Sequence, residues 1–159
     1  MFKKVCIIGC GLIGSSLARA IRKQNLSAKI VSSNRSDSVN KKVIELKIVD
    51  DSNSDTKKMV EGSDLIIIAT PLSSYEDVIL KIKDSLKNGS ILTDVGSVKE
   101  NVISLIEKNV PKNVSWISSH PIAGTEESGP ESGFSELFEN RWCILTPSKQ
   151  AKDKDIKLL

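Results

Sequence analysis

Aromatic rings are scarce in this chain: Phe, Trp and Tyr make up 4% of its 159 residues, which leaves few platforms on which nucleic-acid bases could stack. Charge of one sign is equally wanting. The 23 Lys and Arg residues exceed the 20 Asp and Glu by only +3, and the lysines are scattered among acids and amides instead of forming a basic block. These two shortages argue against nucleic acid as a partner. Cysteine is short as well. Cys6, Cys10 and Cys143 form no C-x-x-C pair and are odd in number, so neither a zinc site nor a disulfide framework is expected, and no other metal site is indicated. No apolar run approaches the roughly 20 residues of a membrane span, and Met1 leads within a few residues into a strand-like segment instead of a signal peptide. The expectation is a cytoplasmic chain with reduced thiols that meets no membrane. Histidine is present once, as His120.

What the chain has is alternation. Its length predicts one compact domain over residues 1–159. Short apolar runs at residues 5–8, 29–32, 65–69, 90–93, 115–118 and 142–145 read as strands, most of them apolar on both faces. Between them, apolar residues recurring every three or four positions predict helices over 12–23, 39–46, 56–60, 75–86 and 98–108. Ser73 with Glu76 and Ser97 with Glu100 have capping-box spacing. Residues 119–135, rich in Gly, Ser and Pro, form the one long irregular stretch. Such alternation implies right-handed crossovers and a mostly parallel, doubly wound α/β sheet, in which ligands bind beyond the carboxyl ends of the strands.

Chemistry is therefore expected just after each strand. After the first comes Gly9-Cys10-Gly11-Leu12-Ile13-Gly14, a G-x-G-x-x-G that follows a strand and opens a helix, as a Rossmann-type dinucleotide site requires. Gly9 allows the tight turn, Gly11 the close approach of a pyrophosphate and Gly14 the packing of helix on strand, while the helix amino terminus offers unpaired amides. After the second strand stands Ser33-Asn34-Arg35-Ser36, with no carboxylate for ribose hydroxyls. Asn34, Arg35 and Ser36 suit the 2′-phosphate of NADP, with a solvated turn arginine as the plain alternative. Thr70-Pro71 can line the nicotinamide side of the crevice, although turn chemistry explains it equally well. Ser97 reads first as a helix cap and second as a group facing substrate. His120, stiffened by Pro121, falls at the same rim. An imidazole has a pKa near 6.5, so at pH 7 it can take a proton from an alcohol whose carbon loses hydride.

The run from Gly9 to Ala18, then Thr93-Asp94-Val95-Gly96-Ser97-Val98-Lys99, then His120-Pro121-Ile122-Ala123-Gly124-Thr125-Glu126 with Ser128-Gly129-Pro130, and finally Trp142 through Pro147, resembles the prephenate and arogenate dehydrogenase family over essentially the whole chain. The His-Pro-Ile-Ala-Gly-Thr-Glu block is far more specific than the glycine fingerprint. The resemblance implies oxidative decarboxylation of prephenate or arogenate with NADP or NAD, as in tyrosine biosynthesis. It implies that His120 accepts the proton of the substrate's C4 hydroxyl, that Ser97 positions that hydroxyl, and that Thr125 and Glu126 shape and gate the pocket.

Family members continue into a helical domain that dimerises and completes the active site, whereas this sequence ends within an amphipathic segment at residues 153–159. The expectation is the cofactor-binding half of an enzyme, ending at or near the junction, inactive alone, and a homodimer when complete. Two other readings stay open. One is an NADP oxidoreductase of the 6-phosphogluconate or 3-hydroxyacid dehydrogenase type, against which the His-Pro-Ile-Ala-Gly block argues. The other is a non-catalytic nucleotide-binding module.

Overall fold

Val5, Cys6, Ile7 and Ile8 are all buried, and a strand with no polar face has to lie between two layers of helices. The computed structural model describes the backbone of residues 1–159 and every side chain except that of Asn101. In chain order it contains β1 (Val5–Ile8), α1 (Leu12–Lys23), β2 (Ile30–Ser33), α2 (Asp37–Glu45), β3 (Asp51–Ser52), α3 (Thr56–Val60), β4 (Leu65–Ile68), α4 (Tyr75–Ile82), β5 (Ile91–Asp94), α5 (Glu100–Asn109), β6 (Ser115–Pro121), β7 (Cys143–Pro147) and α6 (Asp153–Ile156). The sheet order is β3-β2-β1-β4-β5-β6-β7. Every pairing is parallel except β6 with the edge strand β7, which is antiparallel. The chain therefore winds outward from β1 to β3 and then crosses back to β4, which leaves a switch point between β1 and β4.

Strand alternation divides the core in two. Cys6, Ile8, Ile66, Ile68, Leu92 and Trp116 point to the side covered by α3, α4 and α5, where they meet Met59, Tyr75, Ile79 and Ile106. Val5, Ile7, Leu65, Ile67, Ile91 and Ile117 point to the side of α1 and α2, where they meet Ala18, Ile21 and Val43. Burial pushes the Cys6 thiol up to about 12 and the Cys10 thiol to about 11, so both stay protonated and inert. No disulfide forms among the described residues. No helix among them is long and apolar enough to cross a membrane.

The doubly wound sheet bears out the pattern in the sequence, and α1 and α3 fall on the expected residues. Several boundaries differ. The strand expected over 29–32 is Ile30–Ser33, and the helix expected over 75–86 passes at Ile82 into a 3-10 turn at Lys83–Ser85. The stretch expected to be irregular from residue 119 begins later, because β6 continues through Pro121 to pair with β7. Neither capping box forms. The residue before α4 is Ser74 and the residue before α5 is Lys99, and no side-chain cap is made at either. One element has no counterpart in the sequence pattern, β3, two polar residues long, while the amphipathic segment at residues 153–159 forms a single helical turn, α6, at Asp153–Ile156.

Candidate functional site

Because β1, β4, β5 and β6 run parallel, their carboxyl ends share one rim. The register sets Ile8 beside Ile68, Ile68 beside Asp94, and Thr93 beside Ile117. Cys10, Thr70, Gly96 and His120 therefore lie at matching positions, each two residues past this row in its own segment, a reach of roughly 6–7 Å for extended chain. The glycine loop, Thr70, the loop that carries Ser97, and His120 thus all start from the carboxyl end of the sheet.

At the switch point, Gly9 turns at φ +93°, and a Cβ there would fall 2.7 Å from the Ala69 carbonyl oxygen. Only glycine accepts both the left-handed backbone and that approach. Gly11 precedes α1 with no side-chain cap, and a Cβ on it would meet nothing within 4 Å. Leu12 and Ile13 follow, half-buried, in the first turn of α1. Across the crevice, the Thr70 hydroxyl is buried without a hydrogen-bond partner, next to the exposed Pro71. An open cradle, an uncapped helix start and an orphaned hydroxyl fit the pyrophosphate and nicotinamide arms of a dinucleotide.

The adenosine side is built differently. Asn34 is buried, and its side chain accepts from the Cys10 amide at 2.6 Å and donates to Asn40 Oδ1 at 3.0 Å. Weaker donations reach Ser32 and Ser52, and Asn40 returns a bond to the Asn34 carbonyl. Asn34 thus braces the glycine loop against α2 and β3. Arg35 and Ser36 are exposed just beyond it, with the Ser36 hydroxyl 2.6 Å from that of Ser38.

On the other side, His120 is half-buried near the end of β6, on the sheet face that carries Trp116 and Ser118. Ser97 is exposed in the loop between β5 and α5, free of the capping role that its spacing suggested. Thr125 and Glu126 are exposed in the connection from β6 to β7, where Thr125 Oγ1 accepts from the Glu127 amide. That connection is fastened at Gly133 and Phe134, whose amide donates to Ser16 Oγ in α1 at 3.1 Å.

Sequence reasoning passed over Asp94. This carboxylate is fully buried and accepts from five donors: Tyr75 Oη, Gly96 N, Lys99 Nζ, Ser118 Oγ and Ser119 N. Burial, with the adjacent carboxylate, pushes the Tyr75 hydroxyl far up, so it remains a donor. The available signal was an acid ending a strand otherwise buried on both faces, with a lysine five residues on. No group of three or more potential metal ligands occurs among the described residues.

Comparison with known proteins identifies the family and the fold. Residues 17–159 match the family described as prephenate dehydrogenase, nucleotide-binding domain. A cyclohexadienyl dehydrogenase from Zymomonas mobilis is 37% identical over 147 residues, covering 92% of this chain and 50% of that protein. A prephenate dehydrogenase from Lactococcus lactis is 35% identical over 150 residues, covering 93% and 42%. Among solved structures, prephenate dehydrogenase from A. aeolicus in complex with hydroxyphenyl propionate and NAD+ superposes with a TM-score of 0.90 at 28% identity, over 99% of this chain and 55% of that one. The chain spans about half the length of the curated relatives it matches.

Proposed function

Because the chain belongs to the prephenate dehydrogenase nucleotide-binding family, we propose that it is the cofactor-binding half of a prephenate or arogenate dehydrogenase. Residues 1–159 make up the dinucleotide domain, and the intact enzyme is a cytoplasmic homodimer acting on a small molecule. One juxtaposition carries this reading: an open glycine cradle at the β1/β4 switch point shares its rim with the only imidazole in the chain.

In this reading the amides of Gly11, Leu12 and Ile13 hold the pyrophosphate, and the Thr70 hydroxyl and Pro71 border the nicotinamide. The bound nicotinamide supplies the acceptor for the hydride that leaves C4 of the substrate ring. His120 takes the proton of the C4 hydroxyl as that hydride departs, and Ser97 holds the hydroxyl toward the imidazole. Loss of the ring carboxylate as carbon dioxide then leaves its electron pair in the ring and makes it aromatic, and the product oxygen recovers its proton. Thr125 and Glu126 border the substrate and limit the access of water.

Uniform labelling of histidine tests the juxtaposition directly, since one ring gives one set of NMR signals. Addition of NADP is expected to move the His120 ring signals, whereas 2′,5′-ADP, which lacks the nicotinamide, leaves them in place. Signals indifferent to NADP at saturation would remove the imidazole from the crevice and sink the mechanism.

We also assign the preferred cofactor as NADP over NAD. Asn34 is fully engaged inside the protein, which leaves Arg35 and Ser36 to meet the ribose. A charge-assisted bond between guanidinium and 2′-phosphate contributes about 1.5–3 kcal/mol. Arg35→Ala should therefore weaken NADP roughly 10- to 100-fold in a calorimetric titration and leave NAD affinity unchanged. Tighter binding of NAD than NADP by the unaltered chain would overturn the assignment.

A further inference from the structure

We infer that Asp94 and Lys99 are positioning residues that lock Ser97 and His120 into a single rigid unit. The inference rests on the reading of those two residues as the reacting pair. Four of the five donors to Asp94 flank that pair. On one side, Gly96 N lies immediately before Ser97 and Lys99 lies two residues after it, at 2.9 Å each from Asp94 Oδ2. On the other, Ser118 Oγ and Ser119 N donate to Oδ1 at 2.7 and 3.1 Å, in the two residues that precede His120. Lys99 Nζ closes the circuit by also donating to the Ser119 carbonyl.

The energetics argue for a purpose beyond holding the fold. Asp94 is 0% exposed and the Lys99 side chain 20%, and a pair this far from water gains little net stability over an apolar pair of the same shape. What it supplies is geometry. A loop with no helix cap carries Ser97, and His120 lies beyond the last parallel pairing of β6 with β5. Beside the carboxylate, two further bonds join this segment to that end of β6, from Lys99 Nζ to the Ser119 carbonyl and from Ser119 Oγ to the Asp94 carbonyl, and the carboxylate is the group that both sides share. Gly96 belongs to the same arrangement, since a Cβ there would lie 2.8 Å from Leu72 and 3.0 Å from both Tyr75 and Asp94.

The lone histidine makes this testable on the chain as it is, with no dinucleotide present. The unaltered chain should give one sharp pair of ring signals, Cδ2–H and Cε1–H. In Lys99→Met that pair should be lost to broadened or multiple signals, while far-UV circular dichroism reports a folded chain. Lys99→Arg, which can bond both acceptors, should restore the single pair. Ser118→Ala keeps the ion pair, removes one neutral donor, and should shift the ring signals in a chain that remains folded. A purely structural role would lower the melting temperature of these variants and leave the ring signals sharp and unmoved, and that result would overturn the inference. NADP titration of the unaltered chain is a separate readout, so failure of the functional reading and failure of the strut are distinguishable.

Discussion

Gly11→Ala and Gly14→Ala should each weaken NADP binding by about tenfold or more, equivalent to at least ~1.4 kcal/mol, yet only the second should lower the melting temperature. A methyl on Gly11 enters open space, so the fold does not feel it, but that space is where the pyrophosphate must approach the backbone. A methyl on Gly14 would lie 2.1 Å from the Gly9 carbonyl oxygen and 3.2 Å from Ile7. Neither neighbour is a flexible side-chain end, so α1 must move off β1. Overpacking of this kind costs about 3 kcal/mol, and the better helix propensity of alanine returns about 1. The net of about 2 kcal/mol corresponds to a fall of roughly 4–8 °C for a chain of this size. Fluorescence titration with NADPH and a thermal melt on the same samples check both halves. If Gly11→Ala bound NADPH as tightly as the unaltered chain, the cradle would not be the phosphate site.

The second large effect concerns turnover. In a fusion of residues 1–159 to the C-terminal half of the Zymomonas mobilis relative, His120→Ala should reduce prephenate-dependent NADPH formation about 10²- to 10⁴-fold, the span that a general base contributes. The loss should fall on kcat, with NADPH affinity unchanged, because the ring is proposed to act on the reacting hydroxyl and not on the pyrophosphate. Undiminished turnover in the variant would remove the imidazole from the chemistry and overturn its role as general base.

The sequence made the centre of this molecule readable and its periphery much less so. β1 and α1 were legible because buried strand, glycine turn and amphipathic helix each leave a distinct local pattern, and all three agree there. β3 was not, since Asp51 and Ser52 are polar and only half covered, and two residues carry no periodicity. Ser97 and Glu100 have the spacing of a capping box, but spacing reports only what a helix could use. The loop instead answers to Asp94, and α5 begins at Glu100. Asp94 itself could be seen as a residue but not as a hub, because its partners come from α4, from its own loop and from β6. Only strand register brings Ser118 and Ser119 opposite it. At the far edge, residues 142–145 read as a strand from their apolar character; the strand is Cys143–Pro147, and Trp142 just before it is 82% exposed. A strand with one neighbour need not be covered, and composition does not reveal which strand is last.

The brace around Asn34 has one more consequence. Asn34, Asn40, Ser32, Ser52 and the Cys10 amide grip one another through groups that neither gain nor lose a proton while the protein stays folded. Acidification thus leaves that shelf intact. The end of the crevice assigned to adenosine behaves as an inert anchor, and whatever response to acidity the crevice has must come from its opposite end or from the ligand's own phosphate.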